Sequence, residues 1–483
     1  MTTVKTGPPQ DQSDALPASG TRTYVRLWVS QWLACAAVSF TVFALELNIF
    51  VDFNPIWLIA IAYAILFVPF PILSPFAGAF VDRYGHRRAL LISNIGTLLN
   101  LLVLVVVMVT GVGGALYAVS AAGISTILRT LQLAAIESVV PLLVPKRHYG
   151  RANGPRMLMT ATFVLAGPLF AYLLLSVAKP VTIVLAECLL VVIAICVVIT
   201  SNIPVVKRPD GDAPRQSLGR DVVDAWQHLR VRRGLLTMVG FLALVSGTLG
   251  ALEPASSGAV LGFSPDSGAI VVSTSCWLGM VVATILMVFW GVPRKLVMSG
   301  LLGAGLVFAL ALCAAAFRPD LILMSAGGFV AMGSLAVIIA SFQTVMHLKI
   351  PPHLLGRVFG LKNTSVTLSH IVGDVGAIAL GVAFLSSDFT YSGRPPGEGW
   401  DDVSSPILAA FIGDGPGRGW ALVIMLIGVG VAAVVALLAT RSRGLRGLEQ
   451  DLPDVIPDDQ PPRSTEDLAP VGATEPAPGR QSV

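Results

Sequence analysis

The residues able to do chemistry in this 483-residue chain are few, and most sit in apolar surroundings. Arg129 stands near the midpoint of a hydrophobic run over 115–140. A guanidinium at that depth is costly unless it meets an anionic or carbonyl partner, so Arg129 either faces a polar central cavity or ties two helices together. Gln132 follows one turn later, and Glu137 lies two turns beyond Arg129, which predicts one polar cluster. His370 and Asp374 are one helical turn apart and share a face. A carboxyl and an imidazole so placed can pass a proton between them, or form a satisfied packing pair. Glu46 and Glu253 occupy matching outer positions in two other runs, where they line an external gate or reach interfacial water. Gln343 is a further polar candidate for the cavity or gate, and Glu187 is read as bland.

A different pattern occupies the loop after the second hydrophobic run: Gly78, Asp82, Arg83, Gly85, Arg87 and Arg88, spaced as G-x-x-x-D-R-x-G-x-R-R. A turn that merely holds cations accounts for the arginines but not for Gly78, Asp82 or Gly85. An acid at the end of one helix is well placed to face the N-terminus of another, where the helix dipole is positive.

Helices in a bilayer must position these groups. The chain is 54% hydrophobic and 12% charged, with a mean hydropathy of +0.78. A soluble domain carries roughly 25% charged residues, so a water-facing fold of this size is excluded. A net charge of +4 makes no basic stripe for nucleic acid. The five cysteines lie in apolar runs without CxxC spacing, which predicts neither a disulfide framework nor a metal site.

Twelve runs are long enough to span a bilayer: 24–50, 56–80, 89–110, 115–140, 157–178, 181–201, 235–258, 268–290, 296–316, 319–347, 362–386 and 420–440. With both termini cytosolic, 27 of the 32 Lys and Arg residues fall on the inner side and four on the outer, as the positive-inside rule requires. The expected organisation is a cytosolic tail (1–23), a six-helix bundle (24–201), a cytosolic linker (202–234), a second six-helix bundle (235–440) and a disordered cytosolic tail (441–483). In the linker, Leu218, Val222, Trp226 and Leu229 recur at helical spacing against four arginines, which predicts an amphipathic helix on the inner leaflet.

The two bundles repeat. At an offset of 206, Gly85 falls on Gly291, Arg88 on Arg294, Pro145 on Pro351, Gly150 on Gly356, Arg151 on Arg357 and Gly167 on Gly373. Parallel repeats around a central path are a secondary-transporter architecture.

On the loop motif of residues 78–88, the sequence resembles the major facilitator superfamily. The resemblance implies an all-α integral membrane protein of twelve helices. It also implies that the helix faced by Asp82 is span eleven, the pair acting as an inner latch. The acid has no counterpart in the second half, where Gly291, Arg294 and Lys295 remain. An arginine followed by glutamine in span four is associated in this superfamily with proton coupling; here Arg129 and Gln132 match, with Leu133 where glycine is usual. Gly167-Pro168 resembles the family's antiporter motif but also reads as a helix kink. The segments 412–420 and 448–454, with Gln343 and Gly356-Arg357-Val358, are similar to the enterobactin-exporter-like efflux branch.

The expected activity is therefore export of a small organic molecule (a siderophore, peptide natural product or drug) by proton antiport. The expected setting is the inner membrane of a bacterium, as a lipid-embedded monomer with no cofactor and no nucleic-acid partner. Coupling falls to Arg129, Asp374, His370 and Glu137. The same motifs fit an importer or symporter. A membrane enzyme would need a cluster of polar groups at one face, whereas His86, His148, His228, His347 and His353 are scattered over several loops.

Overall fold

The computed structural model describes residues 22–35, 68–111, 114–144, 149, 152, 159, 179–204, 217–264, 266–290, 297–380 and 417–441. The expectations for Glu46, for Gly167-Pro168 and the rest of span five, for the second-half copy of the loop motif and for both tails lie outside these residues. Among the described residues all regular structure is helical. The helices are α1 (22–35), α2 (Pro69–Tyr84), α3 (His86–Thr110), α4 (Gly114–Leu143), α5 (Pro180–Thr200) and α6 (Leu218–Val231). They continue with α7 (Arg233–Leu261), α8 (Asp266–Trp290), α9 (Val297–Ala316), α10 (Leu321–Lys349), α11 (Leu355–Leu380) and α12 (Arg418–Arg441).

Eight of them are long and apolar enough to cross a membrane: α3, α4, α5, α7, α8, α9, α10 and α12. Their outward faces carry large apolar side chains, such as Val109 on α3, Phe289 on α8 and Leu426 on α12. Such a surface suits hydrocarbon and not water. α11 is as long but carries Arg357, Lys362, His370 and Asp374. Those polar groups are spent on contacts with the rest of the protein.

Among the described residues, three apolar clusters fill the two halves: two within α1–α5 and one around α6–α12. Within the second half, α7 and α11 pack most intimately. A Cβ on Gly373 would fall within 2 Å of the Gly247 carbonyl oxygen, and one on Gly250 would meet that of His370 at 2.1 Å. At one end of this half Arg418, 2% exposed, donates from Nη2 to the carbonyl of Ala316 at 2.8 Å. A cation thus closes the C-terminus of α9, where carbonyls lack helical partners. Part of the segment preceding span twelve therefore has a structural use, with Trp420 buried beside it.

The linker helix α6 buries one stripe against the protein and leaves another exposed. Its inward stripe is Asp221, Ala225 and Leu229, packed on α2, α7 and α11, while Val223 and Trp226 are exposed. The reason is electrostatic: Asp221 is drawn in by Arg357 of α11 at 3.2 Å. Ser217 caps the helix, accepting from the Arg220 amide.

Candidate functional site: the contact between the halves

Gly85 alone separates α2 from α3. Its φ of 89° is one that residues with a side chain avoid. Its amide closes α2 on the Val81 carbonyl at 2.8 Å. The turn sets Arg87 over the end of α5, where Nη2 donates to the Ile199 carbonyl. It also aims the end of α2 at the other half. Asp82, its side chain fully buried, accepts from the backbone amides of Gly356 at 3.0 Å and Arg357 at 2.9 Å. These are first-turn amides of α11, which have no acceptor within their own helix. The carboxylate thus meets two donors and the positive end of a dipole together. The Arg357 guanidinium lies 3.6 Å from the same carboxylate, and its other edge holds Asp221. Gly78 makes this approach possible. A Cβ there would fall 1.9 Å from the Gly356 carbonyl oxygen, so no other residue fits against α11. Arg83 is half-buried beside Asp82, and Arg88 is exposed.

A second contact lies on α4. Glu137, 2% exposed, reaches across to α11. It accepts from Lys362 Nζ at 3.3 Å and Asn363 Nδ2 at 3.0 Å. Glu137 thus pairs with a cation of the opposite half.

Proline has a part in both contacts. Pro141 has no amide hydrogen, so the carbonyl of Glu137, four residues earlier, loses its helical donor. His347 Nε2, from α10, takes that carbonyl at 2.9 Å. Pro75 likewise frees the carbonyl of Pro71 in α2, and Thr364 Oγ1 of α11 donates to it at 2.5 Å. These two prolines of the first half thus each offer an acceptor to the second.

The other candidates lie within single halves. Gln132 joins an amide cluster, donating to Gln31 Oε1 at 2.7 Å, which also accepts from Asn94 at 3.2 Å. Arg129 is half-buried one turn away. His370 lies 3.6 Å from Glu253 Oε1 and hydrogen-bonds the Ser246 carbonyl at 3.2 Å. Its nearest acid is therefore on α7, and Asp374 stands within Coulomb range of both. Glu253 also borders a largely apolar cavity of about 390 Å³ among α7, α8, α9, α10 and α12. Gln343 is fully buried, and neither atom of its amide has a hydrogen-bond partner among the described residues. Lys362, Asn363, Thr364 and Asp221 stand outside every motif of the sequence; Pro75 and Pro141, each releasing a carbonyl, were the available signal for Thr364 and His347.

Two helical halves joined by a linker and closed against each other at one end form the architecture of a secondary transporter. The family model of the Major Facilitator Superfamily matches residues 27–373, and the chain belongs to that superfamily. It is a multi-pass membrane protein of the transporter fold. No curated protein matches it in sequence. Among solved structures it is similar to a bacterial homologue of the iron transporter ferroportin in an outward-facing state. That match has 14% identity and a TM-score of 0.61, and covers 87% of this chain and 100% of the other. It is also similar to the human organic anion transporter MFSD10 (13% identity, TM-score 0.60, covering 88% and 100%). A third is the E. coli fucose:proton symporter (13% identity, TM-score 0.57, covering 86% and 99%). At such identities these likenesses define the fold alone.

Proposed function

We propose that this transporter exports a small organic molecule from the cytosol in exchange for protons. It would use twelve spans with both termini inside, in the plasma membrane of a bacterium and without a cofactor. Arginine makes up 25 of the 32 basic residues, as in a high-GC bacterium. The arginine-rich end, where Asp82 seats on α11, is then the cytosolic face. The observation that carries the reading is that seat: a fully buried carboxylate of one half on the N-terminal amides of the other. Such a contact holds the inside shut and is lost when the halves rock apart. Candidates for proton coupling are Glu137, Arg129 and the His370–Asp374 pair with Glu253. The enterobactin-exporter-like resemblance ranks a siderophore first among substrates, then a peptide natural product, then a drug.

Inverted membrane vesicles test this. With an imposed pH gradient reported by a fluorescent amine, adding a catecholate siderophore or ethidium should release protons and load the added compound. Uptake that persists unchanged after the gradient is collapsed would overturn the antiport reading.

A further inference from the structure

The cavity of about 390 Å³ within the second half has a floor and a rim of opposite character. Small-molecule sites run from about 300 to 1,000 Å³, so it has room for a compact organic molecule. Its floor is apolar and closed: Phe308 of α9, Met332 of α10 and Ile424 of α12 are all buried. Its rim is polar and open, with Glu253 of α7 and Ser273 of α8 both exposed. Trp277 of α8 adds an aromatic wall. The charge at the rim is negative. Glu253 lies 3.6 Å from His370, and Asp374 stands within Coulomb range of both. Two ionised carboxylates against one imidazole leave at least one negative charge unbalanced. No lysine, arginine or histidine is among the described residues that line the cavity.

We propose that this cavity binds the substrate, and that the substrate is an apolar organic cation, its body on the floor and its charged nitrogen at the rim beside Glu253. This rests on the transporter reading above and narrows the choice among its substrates. A catecholate siderophore brings negative charge to a negative rim, whereas a quaternary or protonated nitrogen brings the missing counter-charge. Moving an apolar body out of water onto Phe308, Met332 and Ile424 is favourable. The face of Trp277 attracts a cation held near it. The contact at Glu253 is one of charge, so it orients the molecule without fixing its shape. α7 also packs on α11 through Gly247 and Gly250. One wall of the cavity is therefore in direct contact with the helix that receives Asp82.

The test is the fluorescence anisotropy of ethidium, a planar apolar cation, on the purified full chain in detergent micelles. Neutral N-phenyl-1-naphthylamine serves as the comparison dye. Glu253 and Ser273 are exposed, so replacing them leaves the packing of the half intact. The parent should bind both dyes saturably. Glu253→Gln should weaken ethidium at least about tenfold, the worth of one charge-assisted contact, and leave the neutral dye unchanged. Ser273→Trp, which fills the rim, should abolish binding of both. A catecholate siderophore should not displace ethidium. A parent that fails to bind ethidium, or an ethidium affinity unchanged in either variant, overturns the site. Equal weakening of both dyes in Glu253→Gln, or displacement of ethidium by the catecholate, overturns the cationic class. Ethidium uptake into inverted vesicles that ignores a collapsed gradient would instead refute antiport, with the binding results unaltered.

Discussion

The α2–α11 and α4–α10–α11 contacts close the same end of the molecule by different physics. In the first, the second half presents backbone to Asp82: two amides and a helix dipole, with Gly78 letting the chains touch. In the second, it presents side chains to Glu137, an ammonium and a carboxamide, with an imidazole on the carbonyl beside them. The first contact is set by backbone geometry, with the Arg357 guanidinium beside the carboxylate. An ion pair between two buried side chains depends on the charge of both. The α2–α11 contact is thus made chiefly by backbone, and the α4–α11 contact by charged and polar side chains.

Gly78→Leu should break the comparison most severely. Overpacking costs up to about 3 kcal/mol, roughly a hundredfold shift away from the closed state. Labelling of a cysteine placed at Asn363 by a cytosolic maleimide would read it, and unchanged labelling would remove the glycine from the closure. Asp82→Asn keeps the shape but loses the charge. It should cost about 2 kcal/mol, near thirtyfold in the same assay. A loss equal to that of Asp82→Ala would show that the charge, not the shape, makes the seat.

Pro75→Ala and Pro141→Ala sharpen the contrast more gently. Each restores a helical donor that competes with Thr364 or His347 for its carbonyl. Each should weaken closure by about 1 kcal/mol, the net value of one hydrogen bond. Hydrogen exchange at the new alanine amide reports whether the helical bond has formed. If neither variant changes the labelling of the Asn363 cysteine, the freed carbonyls are incidental.

The smallest effect concerns α6. Burial, followed by the charges of Arg232 and His353, lowers His228 to about 4 from an ordinary 6.5. Below pH 6.5 the undocked helix binds the proton more readily than the docked one. Docking is therefore complete above that pH and weakens as pH falls toward 4. Protease cleavage of the linker should rise over that window in the parent and not in His228→Gln.

Much of the architecture was legible because bilayer physics writes it in composition. Long apolar runs marked the helices, and the loop spacing marked the superfamily. Gly78, Asp82 and Gly85 were legible as a set, since no generic turn needs all three. The partner of Glu137 was not, because it is fixed by how the halves meet and not by spacing along α4. His370 illustrates the same limit: helical periodicity pointed to Asp374, yet packing of α7 on α11 supplied Glu253. The Asp221–Arg357 pair was not legible either, because its members lie 136 residues apart.

In the proposed cycle the α2–α11 contact opens at every turnover. It is tested by joining those helices with cysteines at Pro71 and Thr364, bridged by a short thiol-reactive linker, and measuring siderophore or ethidium uptake into inverted vesicles. Cross-linking should abolish uptake, and reduction should restore it. Uptake at the full rate with the helices joined would contradict the account.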